Sequence, residues 1–250
     1  MYKLGLDLGS SYTKGVVVDN NNQIVDYQLV KTGFDYKKAT GKIIDKFSSK
    51  YQIDFPVYTC GYGREEIEQP HIANSEIIAL SEAVFSIYKR KCSVIDIGGQ
   101  DTKYIKINDH GQVDKFRMNR KCAAGTGSFI EEIAFRMDIS PPEFSKLALK
   151  STREVRLNSY CTVFAVSEIV GMVKKGIVIP DIINGIYNSI ISRCTELSPV
   201  EDFLVITGGV PDNHPAIVSL FKKTFKDSES PPRSQFLAAL GCVLLNNQHK

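Results

Sequence analysis

Two stretches of the chain pair short apolar runs with glycine-containing loops, and in each the first apolar run contains an aspartate. Residues 4–14 read LGLDLGSSYTK and residues 94–103 read VIDIGGQDTK. Asp7 aligns with Asp96, and the pattern Asp-(Leu/Ile)-Gly-x-x-x-Thr-Lys recurs with an offset of 89 residues. A β-rich stretch and a turn follow each copy, so each predicts a strand, a tight loop and a second strand. Two copies predict a duplication, with two lobes of related fold that face one another.

The rest of the chain shows apolar residues at the spacing of amphipathic helices, interrupted by a few buried-strand runs. The pattern predicts helices over Lys38–Tyr51, Asn74–Lys89, Gly127–Met137, Pro142–Leu149, Val163–Lys174, Asp181–Leu197, Pro215–Thr224 and Gln235–Asn246. Strands are predicted at Val57–Thr59 and Phe203–Thr207, and Asp227–Arg233 is the one linker-like segment. Strands separated by amphipathic helices predict an α/β fold with mixed sheets.

Composition and charge exclude several classes of protein. The 250 residues are 43% hydrophobic and 24% charged, which is typical of a globular chain. A formal net charge of +3 gives no reason to expect a nucleic-acid partner or an anionic membrane surface. No run approaches the roughly 18 apolar residues of a membrane span. The start MYKLGLDLGSS does not resemble a secretory signal, so we expect a cytoplasmic protein.

The repeated Asp-Gly loops suit phosphate binding. Glycine lacks the Cβ that would keep backbone N–H groups away from a phosphate, and an aspartate suits Mg²⁺, usually through waters. Lys14 and Lys103 would neutralise phosphate charge, or are solvated lysines at strand ends. The alternative for each loop is an ordinary hairpin turn. The sequence contains neither GxxxxGK[ST] nor a GxGxxG after the first strand, so neither common nucleotide motif applies.

A third glycine turn follows the predicted strand Phe203–Thr207. Gly208 and Gly209 would let backbone lie against a flat ligand such as an adenine ring. A tight turn before the next helix is the equally good alternative.

The chain has six cysteines and no CxxC pair, so a zinc ribbon is not expected. Cys122 and Cys161 each precede a predicted helix, where the helix dipole favours a thiolate. That environment suits a metal or cluster ligand, and less well a nucleophile, because no histidine is near in sequence. The alternative is a small buried hydrophobe. Two cysteines per chain complete a four-cysteine iron–sulfur site only in a symmetric dimer.

These motifs resemble the BadF/BadG/BcrA/BcrD-type ATPase family, which includes the ATP-dependent activators of 2-hydroxyacyl-CoA dehydratases. The segments that carry the resemblance, in chain order, are LGLDLGSSYTK, TCGYGRE, VIDIGGQDTK, MNRKCAAGTGSF, CTVFAVSE, ITGGVPDN and QFLAALGCVLL. The resemblance implies a two-lobed actin/Hsp70/sugar-kinase-like α/β fold, a duplicated ribonuclease H-like arrangement with nucleotide in the interlobe cleft. We expect lobe I over residues 1–91, joined by a C-terminal helix at 234–250, and lobe II over residues 92–233.

The resemblance also implies the site residues. Asp7 and Asp96 would act on the phosphates with Mg²⁺, and Gln100 would position the attacking water, or is a structural amide. The implied ATP/ADP-binding residues are Gly9, Ser10, Ser11, Lys14, Gly98, Gly99, Gly125, Gly127, Gly208 and Gly209. Cys122 and Cys161 would ligate one [4Fe–4S] cluster per homodimer.

The implied activity is an ATPase coupled to electron transfer. A ferredoxin or flavodoxin would load one electron onto the cluster, and ATP would drive it to an iron–sulfur dehydratase or reductase. The chain departs from the usual family pattern at Ala79-Leu80, where Cys-His is usual, and at Val166, where an acid is usual. These departures leave the acceptor open. The alternatives are a sugar or metabolite kinase of the same superfamily, or a non-catalytic nucleotide-binding scaffold.

Overall fold

The computed structural model describes residues 2–119, 125–157 and 162–247. The chain divides into two compact units. Unit 1 comprises residues 1–91, 107–114 and 235–250, and unit 2 comprises residues 92–106 and 115–234. The last segment of the chain therefore belongs to the same unit as the first.

Strands and helices are labelled in chain order within the described residues. The strands are β1 Lys3–Leu8, β2 Tyr12–Val18, β3 Ile24–Lys31, β4 Val57–Cys60, β5 His71–Ala73, β6 Cys92–Ile97, β7 Thr102–Ile107, β8 Val113–Asn119, β9 Leu204–Thr207 and β10 Ser228–Glu229. The helices are α1 Tyr36–Tyr51, α2 Glu76–Tyr88, α3 Gly127–Arg136, α4 Pro141–Ala148, α5 Thr162–Lys174, α6 Ile179–Glu196, α7 Gly209–Asn213, α8 Pro215–Thr224 and α9 Leu237–Leu245.

Each unit is built on one five-stranded sheet, and the two sheets have equivalent strand orders. The first is ordered β3-β2-β1-β4-β5 and the second, read from the opposite edge, is β8-β7-β6-β9-β10. In both, a central buried strand has its hairpin partner on one side and a parallel strand, β4 or β9, on the other. This equivalence confirms the duplication predicted from the two Asp-Gly loops.

In unit 1, helices α1 and α9 pack against the sheet, and α2 packs against α9. Helix α1 begins at Asp35, whose side chain accepts the N–H of Lys38, and it buries Ile43 and Phe47. Helix α9 is apolar along nearly its whole length and packs against β1, β4 and α2. Ala79 and Leu80 are buried in α2 as apolar core residues.

The core of unit 2 includes residues of β6, β9 and the helices α3, α4, α6 and α8. Ile95 and Ile206 from the strands are fully buried in the same cluster as Phe129, Ile186 and Phe221. Val166 of α5 is half-buried and packs against this cluster.

The predicted helices lie within two residues of the observed ones, except that the C-terminal segment begins with a short 3₁₀ turn at Ser234–Phe236. The segment Asp227–Arg233, predicted as a linker, contains the short strand β10, which pairs with β9. Gly209 is the first residue of α7. In the part of the chain that is described, each helix is too short or too polar to cross a membrane.

Candidate functional site

The first Asp-Gly loop lies at the carboxyl end of β1. Asp7 is buried, with 4% of its surface exposed, and pairs with Lys14 directly across the antiparallel ladder of β1 and β2. The side-chain nitrogen of Lys14 donates to Oδ2 of Asp7 at 2.8 Å. Lys14, expected from the sequence to neutralise phosphate charge or to be solvated, thus contacts Asp7, and its charge balances that of the buried carboxylate.

The other carboxylate oxygen of Asp7, Oδ1, is buried, and no group in residues 2–119, 125–157 and 162–247 donates a hydrogen bond to it. A buried polar atom without a partner is rare in native proteins, and an ion or water that belongs there is a common reason. The loop after β4 lies against this oxygen, because a Cβ at Gly61 would stand 2.6 Å from Oδ1 and 2.7 Å from the carbonyl oxygen of Leu8.

Strand β3 holds the loop that follows Asp7. The hydroxyl of Thr32 donates to the carbonyl oxygen of Gly9 at 2.8 Å, and the N–H of Thr32 donates to the carbonyl of Ser11 at 3.0 Å. Thr13 also contacts Thr32 through the two hydroxyls. Ser10 at the tip is exposed. The loop is thus fixed at its base and open at its tip.

The second Asp-Gly loop repeats this arrangement at the end of β6, but both oxygens of its aspartate are bonded. Oδ2 of Asp96 accepts from the side-chain nitrogen of Lys103 at 3.3 Å, and Oδ1 accepts from the hydroxyl of Thr207 at 2.9 Å. Lys103 also donates to Asp101 at 2.8 Å. The sequence did not single out Thr207, although it immediately precedes the Gly-Gly pair at the end of β9.

The start of helix α3 holds the glycines of the second loop. The N–H of Gly127 donates to the carbonyl of Gly98 at 2.9 Å, and the N–H of Ser128 donates to the carbonyl of Gly99 at 2.8 Å. The hydroxyl of Thr102 donates to the carbonyl of Gly125 at 2.7 Å. Two N–H groups at this helix start are therefore used to position the loop.

The third predicted turn lies beside the second loop. Gly208 has a φ of +106°, which favours glycine, and a Cβ there would stand 2.4 Å from the carbonyl oxygen of Ile97. The hydroxyl of Ser234 donates to its carbonyl at 3.2 Å. A Cβ at Gly209 would meet open space. Unit 2 therefore places the second loop, the start of α3 and the Gly208 turn together.

Gln100 is exposed in the second loop. Cys122 and Cys161 lie outside the described residues. Cys60, Cys92, Cys194 and Cys242 are buried and form no disulfide within the described part of the chain, as expected of core cysteines. Burial raises the pKa of Cys194, and burial together with the neighbouring Cys242 raises that of Cys60, so neither is a ready thiolate.

A divalent cation fits the first loop by the chemistry of its donors. The partnerless carboxylate oxygen of Asp7 is the kind of hard ligand that Mg²⁺ prefers, directly or through water. Over residues 2–119, 125–157 and 162–247, His, Cys, Asp and Glu side chains form no cluster of three or more able to hold a metal. A cation at Asp7 would therefore take its remaining ligands from water and phosphate.

The two units have equivalent sheets, each with an Asp-Lys pair beside a glycine loop, and the fold is the α/β fold found in actin-like proteins and sugar kinases. A ROK-family glucokinase from Streptomyces griseus has the same fold, with a TM-score of 0.59 and 13% identity over 99% of this chain and 100% of that chain. The chain belongs to the BadF/BadG/BcrA/BcrD ATPase family, which it matches over residues 4–246.

Relatives within the family are similar over nearly their whole length. The 2-hydroxyisocaproyl-CoA dehydratase activator of Clostridioides difficile is 32% identical over 98% of this chain and 94% of its own. The (R)-2-hydroxyglutaryl-CoA dehydratase activating ATPase of Acidaminococcus fermentans is 34% identical over 98% and 96%. The solved structure of a 2-hydroxyisocaproyl-CoA dehydratase activator from Clostridium difficile, with bound ADPNP, superposes with a TM-score of 0.90 over 98% of this chain and 94% of that chain.

Proposed function

We propose that this protein is an ATP-hydrolysing iron–sulfur activator, which transfers one low-potential electron to a 2-hydroxyacyl-CoA dehydratase-like or related reductase. The observation that supports the ATPase half is the buried Oδ1 of Asp7, at the end of β1 beside Lys14, which has no hydrogen-bond partner among the described residues. The relatives named as dehydratase activators support the choice of acceptor.

The residues of both loops have defined tasks in ATP hydrolysis. Mg²⁺, when bound, would neutralise charge on the phosphate oxygens. Asp7 holds the cation, Gly9, Ser10 and Ser11 offer backbone N–H groups to the phosphates, and Lys14 holds the carboxylate. In unit 2, Gly98 and Gly99 present the second phosphate loop, Gly208 and Gly209 contact the nucleoside, and Gln100 orients the attacking water. Gly125 and Gly127 hold the second loop in place.

The electron-transfer half rests on Cys122 and Cys161. Two thiolates from each subunit of a homodimer supply the four sulfur ligands of one [4Fe–4S] cluster. With the cluster bound, a reduced ferredoxin or flavodoxin would supply it with one electron for the iron–sulfur acceptor enzyme. A potential shift of about 300 mV for one electron corresponds to about 7 kcal/mol, a quantity that nucleotide turnover can supply. All these components are cytoplasmic in this proposal.

Anaerobic purification tests the cluster. The wild-type dimer is expected to be brown with about four irons per dimer, and Cys122→Ser or Cys161→Ser is expected to abolish the colour. Cys194→Ala, at a buried cysteine of α6, is the matched control and is expected to keep it. Colour retained in both serine variants would refute the cluster assignment. A colourless monomer whose ATP turnover requires an added sugar would instead indicate the kinase alternative.

A further inference from the structure

The duplication of the fold extends to the parallel strand beside each aspartate. Asp7 of β1 is in register with Cys60 of β4, and Asp96 of β6 is in register with Thr207 of β9. A glycine with positive φ follows in both, Gly61 at +90° and Gly208 at +106°. Cys60 and Thr207 therefore occupy equivalent places in the two units.

The following glycine approaches the aspartate in the same way in each unit. A Cβ at Gly61 would stand 2.6 Å from Oδ1 of Asp7, and a Cβ at Gly208 would stand 2.9 Å from Oδ1 of Asp96. Both positions also face the carbonyl of the residue after the aspartate. Oδ1 is thus the equivalent oxygen in the two carboxylates, and its surroundings differ chiefly in the residue before the glycine.

That residue bonds differently in the two units. The hydroxyl of Thr207, which is fully buried, donates to Oδ1 of Asp96 at 2.9 Å. The thiol of Cys60 is also fully buried, and among the described residues neither this thiol nor any other group donates to Oδ1 of Asp7. A thiol is in any case a weak donor beside a hydroxyl.

We infer that the residue at this place, Cys60 in unit 1 and Thr207 in unit 2, determines which of the two aspartates offers a free carboxylate oxygen to a divalent cation. Cys60 keeps Oδ1 of Asp7 open for the cation or its water shell. The hydroxyl of Thr207 occupies the equivalent oxygen of Asp96, and Lys103 donates to the other oxygen. Asp96 is therefore a fixed positioning group. The inference rests on the proposed nucleotide-binding function.

Two substitutions of Cys60, one with a hydrogen-bond donor in the side chain and one without, test this inference directly. Cys60→Thr introduces the hydroxyl found in unit 2, and Cys60→Val has the same shape without the donor. The probe is Mn²⁺ in the presence of ADP, with free Mn²⁺ measured by electron paramagnetic resonance. Cys60→Thr is expected to weaken Mn²⁺ binding about tenfold relative to Cys60→Val, which is about 1.4 kcal/mol. Equal Mn²⁺ affinities in the two variants would overturn the inference.

A second comparison covers the case in which neither variant folds. Asp7→Asn is expected to lose at least tenfold more Mn²⁺ affinity than Asp96→Asn, measured in the same way, because only Asp7 has an open oxygen. A loss of equal size in both variants would overturn the inference. The proposal that the protein binds ATP would still stand. If wild-type protein binds no ADP at all, the proposed function fails, and the inference fails with it.

Discussion

The side-chain nitrogen of Lys103 lies 3.3 Å from Oδ2 of Asp96 and is almost completely removed from solvent, with 3% of the side chain exposed. The equivalent nitrogen of Lys14 lies 2.8 Å from Asp7, but 19% of that side chain is exposed. Lys103 contacts a second carboxylate, that of Asp101. We therefore expect the charge of Lys103 to contribute more to the stability of the fold than the charge of Lys14.

Lys103→Met is expected to destabilise the protein more than Lys14→Met. Removal of one partner from a buried ion pair leaves an uncompensated charge and costs about 3–5 kcal/mol, whereas partial exposure lets water compensate. Urea unfolding at pH 7 checks this, with a lower free energy of unfolding expected for Lys103→Met. Equal losses of stability would show that Lys14 is as tightly buried in solution.

Gly208→Ala is expected to reduce both stability and ATP turnover. The Cβ would meet the backbone oxygen of Ile97 at 2.4 Å in a conformation that alanine avoids, so Asp96 and its loop must shift. A loss of more than about 2 kcal/mol is expected, beyond the usual range of backbone substitutions.

Gly41→Ala is the control for that substitution. Gly41 lies inside α1, and its Cβ would meet nothing within 4 Å. Alanine in a helix interior is expected to stabilise by about 0.5–1 kcal/mol and to leave turnover unchanged. Thermal unfolding of both variants decides the point, and a Gly208→Ala protein as stable as wild type would contradict the observed close contact.

Acid pH is expected to destabilise unit 2 through His214. Burial lowers the pKa of His214 to about 4, and the hydroxyl of Tyr187 lies 2.8 Å from its Nδ1. An unfolded histidine, with a pKa of about 6.5, binds a proton before the folded one does. The contribution to stability is therefore complete above about pH 6.5 and is lost as the pH falls toward 4.

Between about pH 6.5 and pH 4, protonation linked to His214 lowers the free energy of unfolding by about 1.4 kcal/mol per pH unit, or about 3 kcal/mol in all. Denaturant unfolding at pH 7, 5.5 and 4.5 is expected to show a shallower decline in His214→Gln than in wild type. His110→Gln, at an exposed turn, is expected to follow the wild-type decline. The same decline in all three proteins would mean that other groups account for the acid sensitivity.

Much of this fold could be predicted from the sequence, because helices such as α6 and α8 carry clear apolar periodicity. The outer strands were missed for physical reasons. In β3 half-buried and exposed residues alternate, and exposed Val25, Tyr27 and Leu29 lie among polar residues, so no buried-strand run appears. Strand β10 has only two residues, too few for any pattern.

The aspartates and their lysines could also be predicted, since each pair is local in sequence and repeats. The equivalence of Cys60 and Thr207 could not be predicted from the sequence, because segments of very different length separate these residues from Asp7 and Asp96. Only the register of the parallel strands brings those residues beside the carboxylates. A glycine directly after each buried strand was the available sequence signal.

ATP turnover by Asp7→Asn tests the central claim most directly. The substitution keeps the shape of the side chain and removes the charge that would hold the cation. With Asp45→Asn, at an exposed position of α1, as the control, we expect a loss of at least a hundredfold in Mg²⁺-dependent hydrolysis for Asp7→Asn and none for the control. Turnover by Asp7→Asn within about threefold of wild type, in folded protein, would contradict the claim that this loop carries the hydrolytic site.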